Sequence, residues 1–212
     1  MKRWLRFTAA VLAAAFLFAL TGCDSSTNSA SFTWFVDSIP ANLDPQVASG
    51  ASDVIACENL YGTLVRKNPD GELVPGLCEK WTVSPDGLTY TFTLKDGLTY
   101  AAAKGTATEY DITAEDFVFA FRRIFRADTA SPYAVEFSAI QNSAAVQAGL
   151  TDESSLGVSA NGALTLVFRL SERDDNFLAK LALPGAAPCD EAFFESTRGT
   201  YGLTAKTTLA SG

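Results

Sequence analysis

The chain has 212 residues, 48% of them hydrophobic, which suits one large or two small domains with a buried core. Its 24 acidic and 16 basic residues give a net charge of −8, and this argues against a nucleic-acid partner, which requires an exposed basic surface. The absence of histidine excludes Ser-His-Asp and Cys-His catalytic groups and histidine-ligated zinc, and no carboxylate pair suggests catalysis, so we predict no enzyme, no metal and no cofactor.

The N-terminus has the three parts of an export signal. Lys2, Arg3 and Arg6 precede an apolar run over residues 7–20, which is shorter than the about 20 residues that span a bilayer. The sequence Leu-Thr-Gly-Cys then ends at Cys23 and resembles a bacterial lipoprotein signal, cut before a cysteine that carries acyl chains. We predict a lipoprotein signal peptide over residues 1–22, lipidation of Cys23 and a polar tether over residues 23–31; an ordinary cleavable signal is the alternative.

The first predicted elements are a strand and a helix. Residues 32–36, Phe-Thr-Trp-Phe-Val, are β-branched and aromatic and predict a buried strand. Apolar residues at helical spacing predict a helix over residues 53–60, with Ser52 or Asp53 as its cap.

Turns and strands follow. Pro and Gly in residues 68–71 and 84–87 indicate two tight turns. Leu-Thr-Tyr-Thr-Phe-Thr-Leu over residues 88–94 alternates apolar residues with threonine, which predicts a strand with one buried face.

The second half mixes helices with a hairpin. A capping box from Thr113 to Asp116 predicts a helix with a buried apolar stripe, and we interpret Arg122, Arg123 and Arg126 as its solvated end rather than an anion site. The remaining predictions are a helix over residues 133–148, a hairpin over residues 156–170 that turns at Asn161-Gly162, and helices around residues 174–183 and 190–196. This mixture, without a strict βαβ rhythm, indicates a mixed α and β fold.

The sequence does not decide the roles of three cysteines and one tyrosine. In an exported protein Cys57 and Cys78 could form a disulfide, but with Cys189 they could equally be three small buried thiols. Tyr133, just after a proline, could be a ligand platform or a packed side chain, and its chemistry alone favours packing.

An ordered set of short motifs carries a family resemblance. The motifs are Leu-Asp-Pro-Gln at residues 43–46, Asn-Leu-Tyr at 59–61, Pro-Asp-Gly-Glu-Leu-Val-Pro-Gly-Leu at 69–77, Ser-Pro-Asp-Gly-Leu-Thr-Tyr-Thr-Phe-Thr-Leu at 84–94, Thr-Ala-Glu-Asp-Phe at 113–117 and Thr-Ala-Ser-Pro-Tyr-Ala at 129–134. Together they resemble bacterial extracellular solute-binding protein family 5, the oligopeptide- and dipeptide-binding lipoproteins of ABC importers.

The resemblance implies a mixed α/β fold that is periplasmic-binding-protein-like, of the type II cluster. One lobe would hold an inserted smaller α+β domain: domain I starts over residues 32–57, domain II covers 58–170, and the chain returns to domain I over 171–212. Family members are more than twice as long, so we expect the second lobe to be missing and the ligand cleft to have one wall.

The resemblance also implies the function and the site. The protein would bind oligopeptides outside the cytoplasm, held to the cell membrane by its lipid anchor, and deliver them to ABC transporter permease subunits. The ligand-binding residues carried over are Ala48, Ser49, Gly50, Ala51, Ser52 and Tyr133. Alternatives are another cargo such as a nickel chelate or an oligosaccharide, a truncated remnant that binds nothing, or a surface-anchored hydrolase that uses carboxylates.

Overall fold

A mixed set of short elements builds the fold in the computed structural model, which describes residues 38–103 and 109–212. The strands are β1 (Val65–Lys67), β2 (Leu73–Pro75), β3 (Cys78–Val83), β4 (Thr89–Leu94), β5 (Val158–Ala160) and β6 (Thr165–Arg169). The α-helices are α1 (Ala51–Leu60), α2 (Ala114–Phe125), α3 (Ser143–Gln147), α4 (Phe177–Lys180) and α5 (Glu191–Ser196). Short 3-10 helices cover Glu153–Ser155, Pro184–Ala186 and Ala205–Thr207.

An antiparallel sheet in the order β3-β4-β6-β5 forms the largest layer. Tyr90 and Phe92 of β4 pair with Phe168 and Leu166 of β6, and all four side chains are buried. The predicted alternation over residues 88–94 is confirmed, because the threonines between these residues are only partly buried. The predicted hairpin within residues 156–170 is also confirmed as the β5–β6 pair.

Helix α2 packs on the buried face of this sheet. The Asp116 carboxylate accepts a hydrogen bond from the backbone N–H of Thr113 at 2.9 Å, which confirms the predicted capping box. One turn further, the ring of Phe121 lies 4.9 Å, centroid to centroid, from the rings of both Phe137 and Phe168. Such edge-to-face aromatic contacts add to the stabilisation from apolar burial, so the α2 stripe and the sheet share one core.

Both predicted turns are present. Gly71 has a φ of 83° and closes the β1–β2 hairpin, and Gly87 has a φ of 74° and closes the β3–β4 hairpin. Glycine suits these positions because other residues are strained at positive φ.

The structure corrects two predicted details. Residues 133–139 form turns, Ile140 forms a β-bridge with Leu170, and only Ser143–Gln147 is helical, so the helix over residues 133–148 was predicted too long. Gly50 is the N-cap of α1, whereas the Asp53 carboxylate accepts hydrogen bonds from the backbone N–H groups of Ala41 and Asn42. Ser52 or Asp53 was predicted to cap this helix, but both lie within it, and Asp53 instead holds the segment that leads into it.

Of the two alternatives for the cysteines, a disulfide or three buried thiols, the structure has the thiols. Cys57, Cys78 and Cys189 are free and fully buried. Cys57 lies in a small cluster beside α1 and Cys78 in the main core, so the disulfide between them, one of two readings of the sequence, is not formed.

Several predictions concern parts of the chain that lie outside the described residues. These are the signal peptide, Cys23, the tether and the strand over residues 32–36. The described residues belong to one compact unit, and its division into a domain I and an inserted domain II stays a prediction. Across residues 38–103 and 109–212, every helix is too short or too polar to cross a bilayer.

Candidate functional site

The five predicted ligand-facing residues before and at the start of α1 differ in exposure. Ser49, Gly50 and Ala51 are exposed, although the backbone oxygen of Gly50 already accepts a hydrogen bond from the N–H of Val54 at 2.9 Å. Ala48 is buried in a cluster with Cys57, Tyr61 and Ala187, and this anchors the segment from below. Ser52 is also buried, and its hydroxyl lies 3.0 Å from that of Ser38.

Tyr133, the sixth predicted residue, lies in the loop between α2 and α3 and packs against two other segments. Its ring lies over Gly185, where an added Cβ would come within 2.4 Å of the ring. Burial raises the pKa of Tyr133 to about 12, with smaller contributions from Cys57 and Glu58 of α1. Through Ser131, the backbone of Tyr133 is also joined to that of Gln46, two residues before Ala48, and only 8% of Tyr133 remains exposed.

A buried polar cluster lies beneath this region. Arg123, on α2, forms an ion pair with Asp44, with 2.5 Å between Nη2 and Oδ2, and the two side chains are only 3% and 7% exposed. The guanidinium carbon also lies 3.9 Å from the centre of the Phe194 ring. The interpretation of Arg123 as part of a solvated helix end was therefore wrong, because its charge is neutralised by a carboxylate 79 residues earlier in the chain.

Gln46, which sequence reasoning did not single out, is the hub of this cluster. Its side-chain oxygen accepts a hydrogen bond from Arg123 at 2.7 Å. Its side-chain nitrogen donates to the backbone oxygens of Gly185 and Ala187, at 3.3 and 2.9 Å. Gln46 is the last residue of the Leu-Asp-Pro-Gln motif, and that motif was the available signal.

A surface depression of about 540 Å³ opens at the C-terminal end of α1. Apolar residues line it together with Glu58, Arg66 and Lys67. Among the described residues, none of these three charges has an ion-pair partner. The depression shares Glu58 and Pro184 with the surroundings of Tyr133, but Tyr133 and residues 48–52 do not line it.

The predicted ligand-facing residues combine an exposed segment with a largely buried aromatic ring. Residues 49–51 are exposed, Tyr133 and Ser52 are buried, and the apolar contacts of Ala48 and the Arg123 cluster hold this part of the chain in place. Such fixed groups can form hydrogen bonds with an extended chain without selecting its side chains.

Comparisons with known proteins give a consistent result. The sequence model described as "Bacterial extracellular solute-binding proteins, family 5 Middle" matches residues 72–212. The periplasmic murein peptide-binding protein MppA of Escherichia coli is 36% identical over 135 residues, which cover 63% of this chain and 24% of MppA. The oligopeptide-binding protein SarA of Streptococcus gordonii is 32% identical over 180 residues, covering 84% of this chain and 26% of SarA.

A solved structure agrees with these sequence matches. The substrate-binding domain of an oligopeptide ABC transporter from Bacillus anthracis superposes with a TM-score of 0.74 at 30% identity, covering 82% of this chain and 32% of that one. The likeness confirms the predicted mixed α/β, solute-binding-protein fold, and the chain spans about a quarter to a third of the length of these relatives. The chain belongs to family 5 of the bacterial extracellular solute-binding proteins.

Proposed function

We propose that this protein is the oligopeptide-binding component of an ABC importer and binds its ligand without chemically changing it. The observation that carries the proposal is that Ser131 joins the backbone of Tyr133 to the backbone of Gln46, two residues before Ala48, in a chain whose relatives are named as peptide-binding proteins.

The proposed contacts are those carried over by the family resemblance. Exposed backbone at Ser49, Gly50 and Ala51 would hydrogen-bond an extended peptide, while Tyr133 would contact its side chains. Ala48 and Ser52, which are buried, would act by holding this segment in place.

We further propose that acyl chains on Cys23 hold the protein on the outer side of the cell membrane, next to the permease subunits that receive the peptide. The support is the order of charged, apolar and Leu-Thr-Gly-Cys segments at the N-terminus. Mass spectrometry of the exported protein checks this: acylated Cys23 supports the anchor, and an unmodified thiol there contradicts it.

Calorimetric titration with a mixture of tri- to pentapeptides tests the binding. Saturable heat and a rise in Tm are expected, because a ligand that binds only the folded state stabilises it. If peptides give neither signal while a nickel chelate or an oligosaccharide does, the protein carries that other cargo instead.

A blocking variant tests the location of the site. Ala51→Trp places a large ring on the exposed start of α1 and is expected to lower peptide affinity without lowering stability. Thr82→Trp, at an exposed position of β3, is the matched control and should bind as the unaltered protein does. Equal affinities for the two variants would contradict the proposed site.

A further inference from the structure

We infer that Arg123 and Gln46 are positioning residues that set the two halves of the peptide site, residues 48–52 and Tyr133, relative to one another. The inference rests on the proposed function, and neither residue touches the ligand. It predicts that binding affinity depends on a buried network beneath the site.

The network starts at the guanidinium of Arg123. One nitrogen, Nη1, donates to both Asp44 and Gln46, at 3.2 and 2.7 Å, and Nη2 donates to the second oxygen of Asp44 at 2.5 Å. The planar guanidinium fixes the direction of each hydrogen bond, which a lysine ammonium would not do. Arg123 thus holds the carboxylate of Asp44 and the side chain of Gln46 together.

The first half of the site follows directly from these two residues. The backbone oxygen of Asp44 accepts hydrogen bonds from the N–H groups of Val47 and Ala48, and the Asp44 carboxylate accepts one from the N–H of Gln46. The turn that leads into residues 48–52 is therefore built on the side chain and backbone of Asp44. Its position depends on the residue that holds Asp44.

The second half is attached through Gln46. The Ser131 hydroxyl donates to the backbone oxygen of Gln46 at 2.5 Å and accepts from the backbone N–H of Tyr133 at 3.2 Å. The Gln46 side chain also binds the backbone of Gly185, on which the Tyr133 ring rests. Gln46 thus fixes the Tyr133 loop from two sides.

The side-chain orientation of Gln46 is determined by its partners. Arg123 offers only donors and the carbonyls of Gly185 and Ala187 offer only acceptors, so the amide must direct its oxygen to the first and its nitrogen to the second. Without Arg123, the side-chain oxygen of Gln46 would lose its charged hydrogen-bond donor.

Gln46→Met is the test variant, because methionine has a similar length, removes all three hydrogen bonds of the amide and leaves the Arg123–Asp44 ion pair in place. Arg126→Met is the matched control: Arg126 lies at the end of the same helix and its ion pair, with Glu153, is about 30% exposed. The readouts are calorimetric affinity for the mixed tri- to pentapeptides and amide hydrogen exchange of the ligand-free protein.

For Gln46→Met we expect peptide affinity to fall about tenfold, because binding groups must be held within fractions of an ångström. Amide exchange should accelerate at Ala48, Tyr133 and residues 185–187 but not in β4 and β6, a local pattern that general destabilisation would not produce. Arg126→Met should change neither readout. Unchanged exchange at these positions and unchanged affinity in Gln46→Met would overturn the inference.

Ser131→Ala is the second variant, in case Gln46→Met does not fold. It cuts only the link between Gln46 and the Tyr133 loop, so exchange should accelerate at Tyr133 and not at residues 185–187. Exchange at Tyr133 that matches the unaltered protein would count against the network. Since exchange is measured without ligand, this result is independent of whether the protein binds peptides.

Discussion

The ring of Tyr133 lies directly on the backbone of Gly185, 52 residues further along the chain, so closely that a Cβ at position 185 would come within 2.4 Å of the ring. Gly185→Ala is therefore expected to displace the ring and to lower the free energy of unfolding by about 1–3 kcal/mol, the usual cost of overpacking. Urea unfolding of the variant measures this cost. Peptide affinity should fall as well, since the displaced ring belongs to the proposed site.

The double variant Gly185→Ala with Tyr133→Ala separates this clash from other effects of the extra methyl group. Once the ring is gone, the methyl has space, so Gly185→Ala should cost much less in the Tyr133→Ala background than alone. Additive costs of the two changes would show that the ring and the glycine do not interact.

Asp116 makes stability depend on pH. Burial, followed by the negative charge of Asp190, raises the pKa of Asp116 from 3.8 to about 6. The folded state then binds the proton more tightly than the unfolded state, so this group's contribution to stability is greatest below about pH 4 and is lost as pH rises through about 6. At pH 7.5 the ionised carboxylate should therefore destabilise the fold.

Asp116→Asn tests this sign, because asparagine is neutral at every pH and can still accept the hydrogen bond from Thr113. At pH 7.5 we expect the free energy of unfolding to rise by about 1–3 kcal/mol relative to the unaltered protein, and the difference should disappear below pH 4. Glu115→Gln, at the exposed neighbouring position, is the control and should have little effect. A loss of stability in Asp116→Asn at pH 7.5 would contradict the prediction.

The three core thiols should be unreactive in the folded protein. Burial raises the pKa of Cys57 and Cys189 to about 12 and raises the pKa of Cys78, so little thiolate is present at neutral pH. In a Cys23→Ser variant, a thiol reagent should modify these residues only after unfolding in denaturant, when all three react. Recovery of a single reactive thiol in non-reducing denaturant would instead indicate a disulfide.

Phe168 should be among the most costly side chains to truncate. It is fully buried, and its ring lies against those of Phe92, Phe121 and Phe177, at 5.9, 4.9 and 5.4 Å. We expect Phe168→Ala to lower the free energy of unfolding by about 3–5 kcal/mol in urea denaturation. Val135→Ala, at a side chain that is 71% exposed, is the control and should change it by less than about 0.5 kcal/mol.

Local sequence patterns were sufficient for much of the fold. Alternation over residues 88–94, the capping box from Thr113 to Asp116 and the glycines at 71 and 87 depend on contacts within a few residues, and all appear in the structure. The helix predicted over residues 133–148 was too long because apolar spacing alone does not reveal that Tyr133 and Phe137 pack in turns against other segments.

For the site, the ordered motifs were sufficient to identify the family and to nominate residues 48–52 and Tyr133. Only the tertiary structure showed that Arg123 is buried against Asp44 and that Gln46 links the two parts of the proposed site. Sequence periodicity is set by neighbours within a few residues, whereas the environment of a charge is set by whichever segment folds against it. For Arg123 that segment contains Asp44, which lies 79 residues earlier in the chain.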